Sequence, residues 1–247
     1  MTQMKSRVKK ILEYIFPNFT CLACGCEIEN SVHLHVCDEC FAKFAWAKPP
    51  KISAKVVCKS LEKIYLQDIY CPLIYKAPVS KMILALKYSA TGQVAQIFAP
   101  FMVKTLVGEG KIPATNFDLI IPVPLAKARL RDRGFNQAKI LAEEILNEYK
   151  KIIEAKGSLS ELVGQIEICE TVLLKIRKTT PQTDMNEQQR KDNQKDAYAV
   201  CQHAITKIKG KRILLVDDVL TSGATANECV KVLVKAGAKS VSLLVIA

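Results

Sequence analysis

The sequence contains no long apolar run, and aromatic residues are scarce in it. No stretch approaches the ~18 apolar residues of a transmembrane helix, and Lys9 and Lys10 interrupt the N-terminal segment before it could form the apolar part of a signal peptide. These absences predict a cytoplasmic protein without membrane insertion. Aromatic residues make up only 6% of the 247 residues, which disfavours a protein that binds nucleic acid mainly by stacking bases on rings.

Acidic residues are outnumbered by basic ones. The chain has 36 Lys and Arg against 24 Asp and Glu, a formal net charge of +12. This excess suits a polyanionic partner, such as the phosphates of a small substrate or of nucleic acid. A generally basic proteome explains the same total equally well, so the positions of the charges matter more than their sum.

Cysteine is frequent, yet the ten cysteines are too spread out for a small secreted disulfide scaffold and indicate a reducing compartment. Four of them form two Cys-x-x-Cys pairs, at Cys21 and Cys24 and at Cys37 and Cys40. Two such pairs supply the four thiolates of a closed structural zinc site, so we predict one zinc ion. A redox pair or plain free thiols are the alternatives. The loop between the pairs holds three spare candidate ligands, which we interpret as bystanders: Cys26, His33 and His35.

Hydrophobic patterning divides the chain into three predicted parts. Residues 1–50 hold an amphipathic N-terminal helix and the cysteine module, residues 51–78 form a connecting segment, and residues 79–247 form a larger domain. In that domain the pattern predicts helices within 79–106, 136–154 and 226–236, and strands at 119–123, 211–216 and 240–246. A strand, a helix and a strand with short connections form a right-handed parallel unit, which indicates an α/β fold.

The most informative segment is the stretch from Val216 to Thr225, in which two acids and a small-residue turn follow a buried strand and precede a helix. The first N–H groups of a helix lack internal partners and favour a phosphate. Asp217 and Asp218 would repel a phosphate, but they can accept hydrogen bonds from a ribose diol. The segment therefore predicts a ribose 5-phosphate site, the alternative being an ordinary helix start with two exposed acids. The candidate phosphate-binding residues are Thr221, Ser222, Gly223, Ala224 and Thr225.

This segment resembles the signature of type I phosphoribosyltransferases, and the chain resembles the competence protein F family, which pairs an N-terminal zinc ribbon with such a domain. The motifs that carry the resemblance are the cysteine pair at 21–24, Ala-Leu-Lys-Tyr at 85–88, residues 118–124, Arg-Gly-Phe-Asn-Gln at 133–137, Pro181 and Gln182 with Arg190 and Asn193, and the acidic segment. The resemblance implies a type I phosphoribosyltransferase fold, an open and mostly parallel sheet flanked by helices, with a small N-terminal zinc-ribbon module. It also implies that Asp217 and Asp218 hold the ribose diol, that residues 221–225 hold the 5′-phosphate, and that phosphoribosyl pyrophosphate brings Mg²⁺ on its own oxygens.

The loop after the 119–123 strand would then meet the pyrophosphate, with Pro122 and Val123 in contact. Residues 127–139 carry five basic residues and one acid, so Arg129, Arg131 and Arg133 are candidate phosphate clamps, with Asn136 and Gln137 as amide donors. A solvated charged turn is the alternative.

The polar stretch 177–193 is a candidate lid, in which Gln182 and Arg190 match family positions and Arg190 would offset charge on the leaving group. A disordered surface loop is the alternative.

Three functions remain open from the sequence. The first is a phosphoribosyltransferase of unknown acceptor, with Asp217, Asp218 and Arg190 as catalytic residues. The second, which the resemblance implies, is a single-stranded DNA-binding or adaptor protein of natural transformation that works with a competence helicase. The third is a ligand-sensing regulator. Phe135, Tyr88 and Tyr198 are the few aromatic residues near basic ones.

Overall fold

The computed structural model describes residues 19–28, 35–59, 61–88, 92–107, 117–155, 166–176 and 196–247. The predicted N-terminal helix, His33 and the candidate lid with Gln182 and Arg190 lie outside these ranges. No helix in these ranges combines the length and apolar character that crossing a membrane requires.

In the described ranges the strands are β1 (Phe19–Thr20), β2 (Glu27–Ile28), β3 (Lys51–Ser53), β4 (Asp68–Tyr70), β5 (Leu119–Pro122), β6 (Glu167–Ile168), β7 (Leu173–Lys175), β8 (Tyr198–Val200), β9 (Arg212–Val216) and β10 (Ser240–Leu244). The α-helices are α1 (Asp38–Ala42), α2 (Ala54–Val57), α3 (Val79–Leu86), α4 (Gln93–Val107), α5 (Lys127–Arg133), α6 (Gln137–Ala155), α7 (Ile205–Ile208) and α8 (Ala224–Lys235).

A six-stranded sheet in the order β3-β4-β10-β9-β5-β6 organises the structure, with β9 near its centre. Its neighbouring strands run parallel, except that β3 pairs antiparallel with β4 at one edge. A parallel sheet needs both faces covered. The mostly parallel order with flanking helices confirms the predicted fold class.

Alternating residues of the strands face two separate apolar cores. Leu214 and Val216 of β9 pack in the same cluster as buried residues of α3, α4 and α6. Ile213 and Leu215 pack in the other cluster, with buried residues of α8 and of the β7–β8 hairpin. This alternation is the period-two pattern of an extended strand, and it explains why all four residues are apolar.

Aromatic rings join the cysteine module to α4. Phe44 follows α1, and the centre of its ring lies 6.1 Å from that of Phe98 in α4. Trp46 meets Phe101 edge to face, with ring centres 5.1 Å apart. Rings at these separations attract each other beyond the area that they bury, so the module packs on the same core as α3 and α4.

The connecting segment, for which the sequence offers no clear pattern, is part of the sheet and is bound to α8. It contributes β3 and β4 to the sheet edge. The buried side chain of Asn227, in α8, accepts hydrogen bonds from the backbone N–H groups of Tyr65 (2.7 Å) and Leu66 (3.3 Å). Its amide nitrogen donates to the carbonyl of Lys63 at 2.9 Å. One side chain therefore satisfies three backbone groups of the segment.

We expect Asn227→Ala to lower the free energy of unfolding by about 2–3 kcal/mol, because it leaves buried backbone groups without partners. Denaturant unfolding followed by circular dichroism measures the change. Asn147→Ala, at an exposed position of α6, is the control and should change stability by less than about 0.5 kcal/mol. Equal effects of the two substitutions would contradict the stabilising role of the Asn227 hydrogen bonds.

Candidate functional site

A cavity of about 650 Å³ opens where β5, β9 and β10 end. The carboxyl ends of parallel strands are where open α/β sheets bind ligands. Several separate parts of the chain line the cavity, including α3, α5, the β7–β8 hairpin and the segment after β9. Its lining includes Tyr75, Leu84, Lys87, Tyr88, Val123, Arg129, Arg133, Gln137, Lys175, Tyr198, Asp217, Asp218, Thr221, Gly223 and Thr225.

The acid pair lies directly after β9, and both residues line the cavity. Asp217 accepts a hydrogen bond from the backbone N–H of Asp218 at 2.9 Å, and Asp218 Oδ1 accepts one from Val219 N at 2.9 Å. Asp218 is 6% exposed. Its Oδ2 has no hydrogen-bond partner and lies 3.4 Å from the ammonium nitrogen of Lys87.

Burial raises the pKa of Asp217 well above its usual range, and the negative charge of Asp218 raises it further. The positive charge of Lys87 acts in the opposite direction. A low dielectric disfavours two adjacent negative charges, so the pair is stabilised by any donor or cation placed in the cavity.

The segment 221–225 forms the turn before α8. Gly223 precedes the helix with φ of 73°, a conformation that favours glycine. A Cβ at this position would overlap Cys58 Sγ, so the connecting segment also requires glycine here. Of the five candidate phosphate-binding residues, Thr221, Gly223 and Thr225 line the cavity, whereas Ser222 and Ala224 do not.

In the loop after β5, Val123 lines the cavity, whereas Pro122 is buried as the last residue of the strand. Asn136 does not line the cavity. Its side chain donates to the carbonyl of Val123 at 3.1 Å and accepts from Ala138 N at 3.1 Å. Asn136 therefore holds the loop against the start of α6.

Three of the predicted polar residues face the cavity from α5 and the start of α6: Arg129, Arg133 and Gln137. Arg133 donates to the Gln137 side-chain oxygen at 2.9 Å. The carbonyl group of Gln137 thus orients one guanidinium, which leaves other N–H groups of Arg133 for a ligand.

The β7–β8 hairpin adds a cation that the sequence does not reveal. Lys175 lines the cavity, with its ammonium nitrogen 5.1 Å from the centre of the Tyr198 ring. Burial lowers the pKa of Lys175, and the positive charge of Arg129 lowers it further. An anion would stabilise these two positive charges, because they repel each other in a cavity from which water is partly excluded.

Comparison with known proteins identifies the second half of the chain. The sequence model of the family described as "Phosphoribosyl transferase domain" matches residues 132–247. Residues 132–247 are thus similar to a phosphoribosyl transferase domain, in agreement with the fold class of the sheet. The matched residues include α6, β9, the acid pair and the turn before α8, but not α3 or Lys87.

Curated relatives confirm the resemblance to the competence protein F family. Competence protein F of Haemophilus influenzae is 31% identical over 128 residues, which are 51% of this chain and 48% of that protein. DNA utilization protein YhgH of Salmonella typhimurium is 25% identical over 170 residues, 68% of this chain and 66% of that protein. The protein of the same name from Escherichia coli K12 is 26% identical over the same length. The matches thus span between about half and two thirds of these relatives.

Among solved structures, "Structure of the allosteric regulatory enzyme of purine biosynthesis" superposes with a TM-score of 0.35 at 18% identity, over 66% of this chain and 30% of that chain. Glutamine phosphoribosylpyrophosphate amidotransferase from B. subtilis, complexed with ADP and GMP, superposes with a TM-score of 0.33 at 19% identity, over 65% of this chain and 30% of that chain.

Exposed aromatic side chains lie at the rim of the cavity. Tyr75 is 54% exposed and Tyr88 is 76% exposed, and both line the cavity. Leu84 lies with them and is 52% exposed. Phe135, which the sequence placed near basic residues, does not line the cavity.

The cysteine module brings its four predicted ligands together. The sulfur atoms of Cys21, Cys24, Cys37 and Cys40 all lie within 4.8 Å of one another. Zinc–sulfur bonds of about 2.3 Å place tetrahedral thiolates at comparable separations, so the group could hold a metal such as zinc. Cys26 Sγ lies 3.4 Å from Cys24 Sγ but is not part of this four-sulfur group.

The backbone favours a thiolate at one of these positions. Burial acts to raise the pKa of the Cys21 thiol, but N–H groups of Cys37, Cys24 and Ala23 outweigh burial and lower this pKa to about 6. A thiolate is the form that binds a metal.

We expect protein purified without chelators to carry about one equivalent of a divalent metal. Cys37→Ser should remove this metal, because three remaining thiolates no longer close the site, whereas Cys201→Ser, in a different part of the fold, should retain it. Elemental analysis of the three proteins measures the metal content. Metal-free wild-type protein, or equal loss from both variants, would contradict the assignment.

Proposed function

We propose that this chain binds phosphoribosyl pyrophosphate, or a related ribose phosphate, in the cavity at the ends of β5 and β9. We further propose that it acts in competence and DNA uptake, which the names of its relatives suggest. One observation carries the binding proposal: an acid pair and the turn before a helix face the same cavity as a cluster of basic side chains. The volume of about 650 Å³ lies within the range of small-ligand sites.

Each part of the ligand has a chemical counterpart in the cavity. The 5′-phosphate would occupy the turn at residues 221–225, where the first N–H groups of the 12-residue helix α8 lack helical partners. The ribose hydroxyls would donate to Asp217 and Asp218. Arg129, Arg133 and Lys175 would contact the pyrophosphate, since planar guanidinium groups suit phosphate oxygens.

Mg²⁺ would enter with the ligand. The cation prefers oxygen ligands and keeps several waters, so the pyrophosphate and ribose oxygens can hold it with few protein ligands. The cavity suits such a complex because its lining includes both carboxylates and cations, which would contact the ribose and the pyrophosphate. Mg²⁺ would supply charge neutralisation on the pyrophosphate.

Catalysis would consist of displacement of pyrophosphate from ribose C1 through a cationic sugar. Asp217 and Asp218 would stabilise the developing positive charge, and Arg190 would offset the negative charge of the leaving group. Thr221 stands where some related enzymes carry an acid, so the nucleophile would need no base from the chain at this position. Release of pyrophosphate with an acceptor distinguishes an enzyme from a ligand-sensing regulator.

The cysteine module would hold one structural zinc ion. Four thiolates close the coordination shell, so the zinc would stabilise the module rather than take part in chemistry. We propose the division into a helix and zinc ribbon at residues 1–50, a connecting segment at 51–78 and the phosphoribosyl transferase-like domain at 79–247.

We expect the double variant Asp217→Asn, Asp218→Asn to bind phosphoribosyl pyrophosphate with Mg²⁺ at least about tenfold more weakly, because amides are poorer acceptors for the ribose hydroxyls than carboxylates. Isothermal titration calorimetry measures the affinity. Asp118→Asn is the control, because Asp118 pairs with Arg212 at the amino ends of β5 and β9, whereas the cavity lies at their carboxyl ends. Absence of binding to the wild type, or unchanged binding to the double variant, would reject the proposal.

A second candidate function, single-stranded DNA binding with a competence helicase as partner, is favoured by the exposed rings of Tyr75 and Tyr88. Both lie at a cavity that also presents Arg129 and Arg133. Basic side chains with interspersed aromatic rings bind single strands by phosphate contacts and base stacking. The names of the relatives, which refer to competence and DNA utilization, agree with this role.

If this function holds, a single-stranded oligonucleotide should bind with an affinity that falls steeply as salt increases. Tyr75→Ala with Tyr88→Ala should weaken binding at least about thirtyfold, because each stacked base contributes about 1–3 kcal/mol. Ile205→Ala, which removes a partly exposed apolar side chain outside the cavity lining, is the control. Fluorescence anisotropy measures the affinities, and salt-independent binding or no binding would exclude the second function.

A further inference from the structure

Lys87 reaches the acid pair from a part of the chain that the family match does not include. It directly follows α3, whereas the matched region begins at residue 132. Its ammonium nitrogen lies 3.4 Å from Asp218 Oδ2, and Lys87 also lines the cavity. The side chain of Asp218 is 9% exposed and that of Lys87 is 29% exposed, so solvent screens this ion pair only weakly.

The geometry leaves one carboxylate oxygen available. Oδ1 of Asp218 accepts a hydrogen bond from Val219 N, whereas Oδ2 has no hydrogen-bond partner. A buried carboxylate oxygen without compensation is costly. At 3.4 Å, Lys87 compensates the charge without forming the short contact of about 2.7–2.9 Å that a charge-assisted hydrogen bond has. Oδ2 can therefore still accept a hydrogen bond from a hydroxyl group.

We propose that Lys87 is a positioning residue of the cavity, which compensates the charge of Asp218 and holds its carboxylate toward the place where a ribose hydroxyl would donate. This inference rests on the proposed function. It adds a residue from the first half of the chain to a site that the matched residues 132–247 alone would leave without its compensating cation.

Other groups surround the acid pair, but they act on its other member. Lys175 of β7, Tyr198 of β8 and Cys229 of α8 interact electrostatically with Asp217. Arg129 of α5 acts on Lys175 and Tyr198. Among the described residues, Lys87 is the cation that forms an ion pair with Asp218. Its removal should therefore not be compensated from α5, β7, β8 or α8.

The pH dependence gives a readout that simple loss of packing would not change. Without Lys87, the apparent pKa of the coupled pair should rise, because a nearby positive charge favours the ionised form. Ligand binding that needs ionised carboxylates is complete above this pKa and is lost as the pH falls through it. The loss in Lys87→Met should thus begin at a higher pH than in the wild type.

The test uses ribose 5-phosphate as the probe, titrated calorimetrically into the full chain between about pH 5 and pH 9. We expect Lys87→Met to bind at least about tenfold more weakly near pH 6 and to approach wild-type affinity at the alkaline end, which corresponds to a shift of about one pKa unit. Lys87→Arg, which keeps the charge, should restore most of the binding. Lys81→Met, at an exposed position of the same helix, is the matched control and should behave as the wild type.

A second measurement needs no ligand. Carbon-13 NMR of labelled aspartate carboxyl groups in the unliganded protein should show the titration of the pair shifted upward in Lys87→Met but not in Lys81→Met. Unchanged titration and binding in Lys87→Met, with a wild type that binds, overturn the positioning role alone. A wild type that does not bind ribose 5-phosphate or phosphoribosyl pyrophosphate overturns the proposed function, and the positioning role with it.

Discussion

The buried carboxylate of Asp218 needs a compensating charge, and much of the architecture around the cavity follows from that need. The acid pair directly follows the central strand β9, where Asp218 is removed from bulk water and its negative charge disfavours the ionisation of Asp217. Compensation comes from Lys87 at the end of α3. The site thus depends on how α3 packs against the sheet, so the first half of the chain takes part in the electrostatics of the second.

The turn that would bind the phosphate also depends on residues from the first half of the chain. Gly223 has a backbone conformation that favours glycine, and Cys58 of the connecting segment occupies the space where a side chain would be. Asn227, one turn into α8, binds three backbone groups of that segment. The turn is therefore held in place from outside, and a preorganised turn loses less conformational entropy when it binds an anion.

Strong local patterns explain which parts of the structure could be predicted from the sequence. The central strands consist of successive apolar residues, and acids directly after β9 indicate a ligand-facing strand end, so sheet class and acid pair follow from sequence alone. The helix after the turn begins at Ala224, two residues before the predicted start, because Gly223 forms the N-terminal boundary. The strands β3, β4, β7 and β8 have three residues each, too few for a period to be recognised.

Side-chain partners were the least predictable part of the site. Asn136 has the residue type of a ligand donor, yet its amide holds the Val123 carbonyl, a contact that depends on how the loop folds back. Lys175 stands alone in a short apolar strand, and only the hairpin brings it beside Tyr198. Lys87 lay in a recognised motif, but its distance from Asp218 along the chain concealed the ion pair.

The presence of both acidic and basic groups in the cavity restricts what the site can bind. Carboxylates attract donors and repel phosphates, whereas the turn before α8 and the groups Arg129, Arg133 and Lys175 attract phosphates. A simple phosphate would satisfy the turn or the basic cluster and leave the carboxylates without donors. A neutral diol would satisfy the carboxylates and leave the turn and the basic cluster without an anion. A ligand that carries both hydroxyl groups and phosphates would satisfy the carboxylates, the turn and the basic cluster together, and this is the physical basis for proposing a ribose phosphate.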